Sequence, residues 1–171
     1  RRIVVHDGHR GPKEIGCSTN FLAWLTDPVL NGGGALNDFG CYGAVLATWL
    51  MDGRRPVAVQ RKTQRIKPEV YPRVEDEATI VVTYPKAQAI LQASWNWPFG
   101  RKDLEVYGQT GYARATGGNL LRIRRAGAKD EESAELNDLP ADERDSIAYL
   151  AAVVRGRKPD GLSSLANNLV V

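Results

Sequence analysis

An aspartate and a tyrosine four residues apart follow a run of three glycines. The run is Gly32-Gly33-Gly34, and the two side chains are Asp38 and Tyr42. Glycines before a helix let the backbone approach a ligand closely, and free N–H groups in the first turn favour an electron-rich partner. Residues four apart project from one face of a helix. A carboxylate beside a phenol can orient a hydroxylated substrate and share in transfer of its hydroxyl proton.

The same two residues also have a structural explanation. An aspartate near a helix N-terminus is commonly stabilised by the helix dipole, and a helical tyrosine is commonly a half-buried packing residue. Periodicity alone therefore leaves both roles open for Asp38 and Tyr42.

The helix that carries this pair is predicted over residues 35–51. Apolar residues recur there at intervals of three and four and form a stripe distinct from the face of the pair, and Asp52-Gly53 provides a stop. The stripe consists of Leu36, Phe39, Gly43, Leu46, Ala47 and Leu50.

The helix is expected to pack on a sheet. A strand over residues 2–6, a loop over 6–12 and an aromatic, turn-rich connection over 20–31 precede it. Six strand-like segments follow without an intervening helix, which indicates a mainly antiparallel sheet. They cover residues 56–66, 78–84, 88–97, 104–107, 112–116 and 120–125.

The last third of the chain is predicted as a surface loop over 128–137, a helix from Asp138, and helical spacing over 165–171. Gly156 stands at the C-cap of the first helix, with Pro159 just beyond. The fold class is therefore α+β, a mainly antiparallel, open-faced sheet with helices packed on one face as a two-layer sandwich. The apolar stripe of the helix from Asp138 is Ile147, Leu150, Ala151 and Val154.

Composition narrows the class of protein. The chain has 171 residues and 43% hydrophobic residues, which fits one globular domain. The net charge of +3 is scattered along the chain, which argues against a nucleic-acid partner. Cys17 and Cys41 have no metal-ligand spacing, so no metal site is expected, and their number favours a reducing, cytoplasmic location. No apolar run is long enough to span a membrane.

A resemblance adds to this interpretation. The run GGGALNDFGCYGAVLATWL is similar to GGGxLxDxGxHxxDxxxxL, a pattern of the C-terminal domain of Gfo/Idh/MocA oxidoreductases. Further segments resemble that domain in order, so the similarity covers nearly the whole chain. They are Gly53 to Val59, Asp76 to Thr79, Glu105 to Tyr112 and Tyr149 to Gly156.

The resemblance implies a role for each matching residue. Asp38 and Tyr42 occupy the positions of the catalytic Asp and His, where some members have Tyr. Gly33 and Gly34 would contact the cofactor, NAD or NADP, and Arg10, Trp24 and Asn31 would contact the substrate. Residues of the loop after the first strand, His6 and His9 as well as Arg10, are equally explained as solvated groups. These are the site residues that we expect.

Two departures from the family pattern affect the reaction. Tyr42 replaces the more common His, and an unperturbed tyrosine ionises about 3.5 pH units above an unperturbed histidine. The family's catalytic Lys and its phosphate-binding loop belong to an N-terminal Rossmann domain, and neither occurs in this sequence. Residues 1–171 are accordingly expected to be a C-terminal substrate-binding and oligomerisation domain, truncated at both ends and inactive alone.

Three functions follow from the resemblance. The first is NAD(P)-dependent oxidation or reduction of a sugar, cyclitol or related polyol by hydride transfer. The second is nicotinamide-dependent glycoside hydrolysis, and the third is sugar sensing without catalysis. The open sheet face is expected to form a homodimer or homotetramer contact. Trp95 and Trp97 have two interpretations, a place in that contact or a place in the core.

Overall fold

The computed structural model describes residues 1–157 and 161–171. Its thirteen elements fall into an N-terminal strand, three short helices, seven strands and two C-terminal helices. In chain order they are β1 Arg2–Gly8, α1 Thr19–Leu25, α2 Ala35–Asp38, α3 Gly40–Leu50, β2 Ala58–Gln64, β3 Glu77–Tyr84, β4 Ala87–Ser94, β5 Arg101–Tyr107, β6 Gly111–Thr116, β7 Leu120–Arg125, β8 Glu132–Ala134, α4 Ser146–Val154 and α5 Leu165–Val170.

All eight strands form one sheet in the order β2-β3-β4-β1-β5-β6-β7-β8. Every neighbouring pair is antiparallel except β1 and β4, which run parallel. β1 is therefore inserted in the middle of strands that otherwise follow one another along the chain. The predicted α+β class and the six predicted strands are confirmed.

The core lies between one face of the sheet and the helices. Side chains alternate along a strand, so Ile3 and Val5 of β1 face the same layer as Ala89 and Leu91 of β4. α3 approaches this layer closely, because a Cβ at Gly43 would lie 3.1 Å from the Leu91 side chain. Among the residues that the structure describes, no helix packs on the opposite face of the sheet.

The single helix predicted over residues 35–51 is instead two helices. α2 ends at Asp38, and Phe39, with φ −111° and ψ −29°, separates it from α3. Phe39 is buried in the core and Gly40 packs so closely that a Cβ there would lie 2.9 Å from Ile80. At the kink, Phe39 packs in the core and Gly40 packs against the sheet.

Two further N-terminal predictions are wrong. The strand predicted to end at His6 continues to Gly8, because residues 6–8 pair with β4 and β5. The turn-rich segment 20–31 contains α1, whose N-cap Ser18 accepts a hydrogen bond from the Phe21 amide.

The C-terminal third also differs from prediction. The loop over 128–137 includes the edge strand β8, and the helix expected from Asp138 begins at Ser146, with Asp145 as its N-cap. The predicted stripe faces outward, since Ile147 is 79% exposed, whereas Ala152 is buried. Pro159 lies outside the described residues. The helical spacing at the end of the chain is confirmed by α5.

None of the helices described is both long and apolar enough to cross a membrane.

Candidate functional site

The predicted site residues surround the end of the sheet at which β1 and β4 both finish. His9 follows β1 and donates its amide hydrogen to the Ser94 carbonyl, the last residue of β4, at 3.0 Å. Asp38 and Tyr42 lie at this same end, because Asp38 is bonded to Trp95, directly after β4, and Tyr42 contacts Lys102, which is paired with Asp7 of β1. Because parallel neighbours finish at one edge, the residues after β1 and β4 necessarily meet.

Asp38 is fixed by a tryptophan. The indole Nε1 of Trp95 donates a hydrogen bond of 2.9 Å to Asp38 Oδ2. Trp95 is 0% exposed and packs against the Tyr71 ring, with centroids 4.8 Å apart. The Asp38 carboxylate thus has one oxygen held by a rigid core residue, while Oδ1 is available to a ligand. Trp95 is consequently a core residue and not part of a subunit contact.

Tyr42 lies on the solvent side of the same region. It is 47% exposed, and its ring lies 6.3 Å from that of Phe39. The Lys102 ammonium stands over the Tyr42 ring, with Nζ 4.6 Å from its centroid. Tyr42 therefore offers an accessible phenol next to a positive charge.

A second carboxylate, that of Asp7, lies behind Asp38 and Tyr42. Asp7 is 5% exposed, and its Oδ1 has no hydrogen-bond partner. Burial raises the pKa of Asp7 from 3.8 to about 6, the Asp38 charge adds to that rise, and Lys102 opposes it.

The raised pKa gives a pH prediction for stability. The folded state binds more protons than the unfolded state between pH 3.8 and about 6, so the free energy of unfolding falls as pH rises through this window. Asp7→Asn removes that fall. We expect the variant to match wild type near pH 4 and to be more stable by about 1–2 kcal/mol near pH 7. Urea unfolding at both pH values checks this, and a variant less stable at pH 7 than wild type would contradict it.

His9 has a defined tautomer. Its Nδ1 accepts a hydrogen bond of 2.9 Å from the Gly11 amide, and its ring meets the Phe39 ring edge-on at 4.9 Å. Burial lowers the pKa of His9. The neutral ring therefore carries its proton on Nε2, which can donate to a hydroxyl oxygen. His6, predicted in the loop, instead lies in β1 on the opposite sheet face from Asp7.

The predicted cofactor glycines are tightly packed. The amides of Gly34 and Leu36 both donate to Glu75 Oε1, at 2.8 and 3.1 Å. A Cβ at Gly34 would lie 2.0 Å from the Glu75 carbonyl oxygen. Close packing of residues 74–75 thus accounts for glycine at position 34, and contact of Gly33 and Gly34 with a cofactor remains a prediction.

The three predicted substrate residues have different environments. The Arg10 carbonyl accepts from Lys67 Nζ at 2.7 Å, and its side chain is exposed. Trp24 is exposed on α1 beside Phe21. Asn31 donates to the Leu25 and Gly33 carbonyls. Their roles towards substrate stay predictions.

Asn31 also lines a cavity of about 580 Å³ between α3 and the β2–β3 edge of the sheet. Asp38 and Tyr42 do not line this cavity. The Asp38 and Tyr42 side chains are therefore separate from this cavity.

Lys67 fastens the loop after β1 to the site. Its ammonium bonds to the Glu14 carboxylate and to the carbonyls of Arg10 and Trp95, the last two at 2.7 Å. The buried Tyr71 hydroxyl donates to the other Glu14 oxygen. Burial alone would raise the pKa of Glu14, but the bonds from Lys67 and Tyr71 hold it below its usual value. The loop carrying His9 and Arg10 is thus held in place.

Sequence reasoning missed Asp7 and Lys102, and it gave no role to Trp95 at Asp38. Residues 7 and 102 are directly opposed in the β1–β5 register. Only the insertion of β1 beside β5, which no local pattern encodes, brings them together.

The chain is thus an α+β domain whose open-faced sheet carries a carboxylate, a phenol and an imidazole at one end. A family model described as the GFO/IDH/MocA C-terminal domain matches residues 2–114, and the chain belongs to this family. A search of curated proteins gives no significant match.

Several solved structures share the fold. Aldose-aldose oxidoreductase from Caulobacter crescentus, complexed with glycerol, superposes with a TM-score of 0.74 and 21% identity over 99% of this chain and 50% of its own. UDP-N-acetylglucosamine 3-dehydrogenase from Acidithiobacillus ferrooxidans gives 0.70 and 19% over 99% and 51%. An inositol dehydrogenase homolog from Azotobacter vinelandii, complexed with NAD+, gives 0.67 and 19% over 79% and 36%. The chain spans about half the length of the first two of these proteins and 36% of the length of the third.

Proposed function

We propose that this chain is the substrate-binding half of an NAD(P)-dependent oxidoreductase that acts on a sugar, cyclitol or related polyol by hydride transfer. The observation that carries the proposal is the Asp38 carboxylate, held by the buried Trp95 indole and open on its other oxygen, beside the exposed Tyr42 phenol. A second, N-terminal Rossmann domain would complete the enzyme. Membership of the GFO/IDH/MocA C-terminal domain family supports a substrate-binding role for this chain and a cofactor-binding role for a separate N-terminal domain.

The residues of this chain would bind and orient the reacting hydroxyl and move its proton. The free oxygen of Asp38 accepts a hydrogen bond from the substrate hydroxyl. In reduction the Tyr42 phenol donates its proton to the forming hydroxyl, and in oxidation the Tyr42 phenolate accepts the proton that the hydroxyl gives up. The His9 Nε2–H donates to a neighbouring hydroxyl oxygen and fixes the ring orientation. When bound, the nicotinamide supplies the hydride acceptor or donor.

The described residues of this chain suit the nicotinamide end of the cofactor and not its phosphates. The Gly34 and Leu36 amides are already occupied by Glu75, so they do not provide a phosphate cradle. The dinucleotide phosphates would be held by the Rossmann domain, and this chain would face the nicotinamide and the substrate. We therefore assign no phosphate contact to the described residues.

The class of substrate is supported by the neighbours. Glycerol is bound in the Caulobacter crescentus enzyme, and an Azotobacter vinelandii inositol dehydrogenase homolog is complexed with NADH and myo-inositol. A polyhydroxylated substrate also suits a site whose candidate groups are a carboxylate, a phenol and an imidazole, all partners for hydroxyl groups.

A test uses the full-length oxidoreductase that contains this domain. Purified enzyme is denatured and any released dinucleotide is identified by mass spectrometry, and binding of NAD and NADP is measured by calorimetry. A panel of aldoses, cyclitols and nucleotide sugars is then assayed for change in reduced nicotinamide. We expect binding of one dinucleotide and turnover of at least one polyol. Failure of a folded enzyme to bind either dinucleotide would overturn the proposal.

The open sheet face is proposed as the contact of a homodimer or homotetramer. The face carries half-buried Val4, Val81 and Ile90, and no helix packs on it among the residues described. A half-buried apolar row on an uncovered sheet is suited to a partner sheet. Analytical ultracentrifugation of the full-length protein should give a dimer or tetramer, and a monomer at micromolar concentration would sink this part of the proposal.

A further inference from the structure

The pair formed by Asp7 and Lys102 has no role in the reaction described above. Asp7 lies on the core-facing side of β1, at the end of the apolar row formed by Ile3 and Val5. Its carboxylate meets Lys102 Nζ at 3.8 Å, beyond hydrogen-bond distance, and its Oδ1 is unpartnered. A buried carboxylate satisfied this poorly costs stability. A neutral residue would serve the core better, which points to a purpose other than packing.

Lys102 connects this carboxylate to the candidate site. Its side chain is 63% exposed, yet its ammonium stays between Asp7 and the Tyr42 ring, 4.6 Å from the ring centroid. A free lysine with this exposure would extend into water, since its rotamers are otherwise unrestricted. Attraction to Asp7 on one side and to the ring face on the other keeps the ammonium beside the phenol.

Three groups bear on Asp7 from the elements around it. Lys102 comes from β5 and stabilises the ionised carboxylate, whereas Asp38 from α2 disfavours it. Burial raises the pKa of Cys41 from α3, and the Asp7 charge adds to that rise. Lys102 is the one cation among them, so the ion pair depends on it alone.

We propose that Asp7 and Lys102 are a positioning pair for Tyr42. The Asp7 carboxylate holds the Lys102 ammonium against the Tyr42 ring, so that the phenol keeps one orientation beside Asp38 and a positive charge stands where the substrate hydroxyl gives up its proton. The pair touches neither substrate nor cofactor in this account. This proposal rests on the proposed function, but the existence of the pair can be tested without it.

The first experiment uses the 171-residue chain and follows Asp7 by carboxyl ¹³C NMR during a pH titration. Wild type should titrate near pH 6, and Lys102→Met should move the Asp7 midpoint upward by at least about half a pH unit, because the neighbouring cation is lost. Lys86→Met, on the β3–β4 turn at the opposite end of the sheet, is the matched control and should leave the midpoint unchanged. An unmoved midpoint in Lys102→Met overturns the pair, whatever the enzyme does.

The second experiment measures kcat and KM of the full-length oxidoreductase across pH. We expect Lys102→Met to lower kcat about tenfold at neutral pH, with KM within about twofold, as for lost orientation of a proton-transfer group. Asp7→Asn should lower kcat similarly, and the double variant should be no worse than either single variant. Below about pH 6 the deficit should shrink, because protonated Asp7 no longer holds Lys102 in wild type. A purely structural pair would change the free energy of unfolding, but the ratio of wild-type to variant kcat would not depend on pH.

The variants separate this proposal from the proposed function. If Tyr42→Phe lowers kcat strongly and Lys102→Met leaves kcat and its pH profile at wild-type values, the positioning pair is wrong and the proposed function stands. If Tyr42→Phe itself keeps wild-type activity, the proposed function fails at this residue, and the NMR titration alone then decides whether the ion pair exists.

Discussion

Replacing Asp38 by Asn in the proposed full-length oxidoreductase is expected to lower kcat by about a thousandfold, with a much smaller change in KM. The amide keeps the size of the carboxylate and can still accept from the Trp95 indole. It removes the negative charge that, in the proposed reaction, orients the reacting hydroxyl and favours loss of its proton. Steady-state kinetics with the polyol identified by the substrate screen measures the effect.

Asp52→Asn is the matched control. Asp52 lies in the left-handed region, with φ 58°, in the turn after α3, a backbone conformation that Asn tolerates equally well. This variant should keep wild-type kinetics. Equal kcat values for wild type and Asp38→Asn would assign Asp38 a purely structural role, and the hydrogen bond to Trp95 would then be its whole function.

Replacing Gly34 by Ala is expected to give the largest loss of stability, about 3 kcal/mol or more. The added Cβ would lie 2.0 Å from the Glu75 carbonyl oxygen and 3.0 Å from the Val74 side chain. Relief requires residues 74–75 to move, which breaks the bonds from the Gly34 and Leu36 amides to Glu75. Urea unfolding of the 171-residue chain measures the change.

Gly100→Ala is the control for Gly34→Ala, because a Cβ at Gly100 meets nothing within 4 Å. We expect its free energy of unfolding to stay within about 0.5 kcal/mol of wild type. If Gly34→Ala is equally harmless but weakens dinucleotide binding by the full-length enzyme, the predicted cofactor contact explains the glycine better than packing does.

The sheet could be predicted because its signals are local. β3 and β4 alternate buried and half-buried residues over most of their length, and turn residues separate them. The helix kink at Phe39 could not be predicted, because apolar periodicity continues through it. Its cause is the contact of Phe39 and Gly40 with the sheet, which depends on packing between distant parts of the chain.

The outward stripe of α4 shows the same limit. Ile147 and Leu150 recur at helical spacing, which predicts a buried face, yet both are exposed. A hydrophobic pattern indicates that a face suits burial, but it does not specify which surface covers it. The start of α4 was placed too early because Asp138 and Asp145 are both acceptable N-caps, and only Asp145 accepts the Ala148 amide hydrogen.

The candidate site divides in a similar way. One contiguous motif contains both Asp38 and Tyr42, and their contacts with Trp95 and Lys102 place them at a single end of the sheet. Asp7 and Lys102 belong to strands far apart in sequence, and they meet because β1 is inserted between β4 and β5. For Trp95 the sequence is compatible with both a core and an interface position. Its hydrogen bond to Asp38 depends on a bend after β4 that the sequence does not signal.

A crystal structure of the proposed full-length enzyme with its dinucleotide and a bound polyol would show whether Asp38 and Tyr42 contact the substrate. We expect the reacting hydroxyl to lie within about 3 Å of the Asp38 carboxylate or the Tyr42 phenol, with the nicotinamide on the other side of the polyol. A polyol bound elsewhere on this domain, such as in the cavity beside α3, with Asp38 contacting only Trp95, would contradict it.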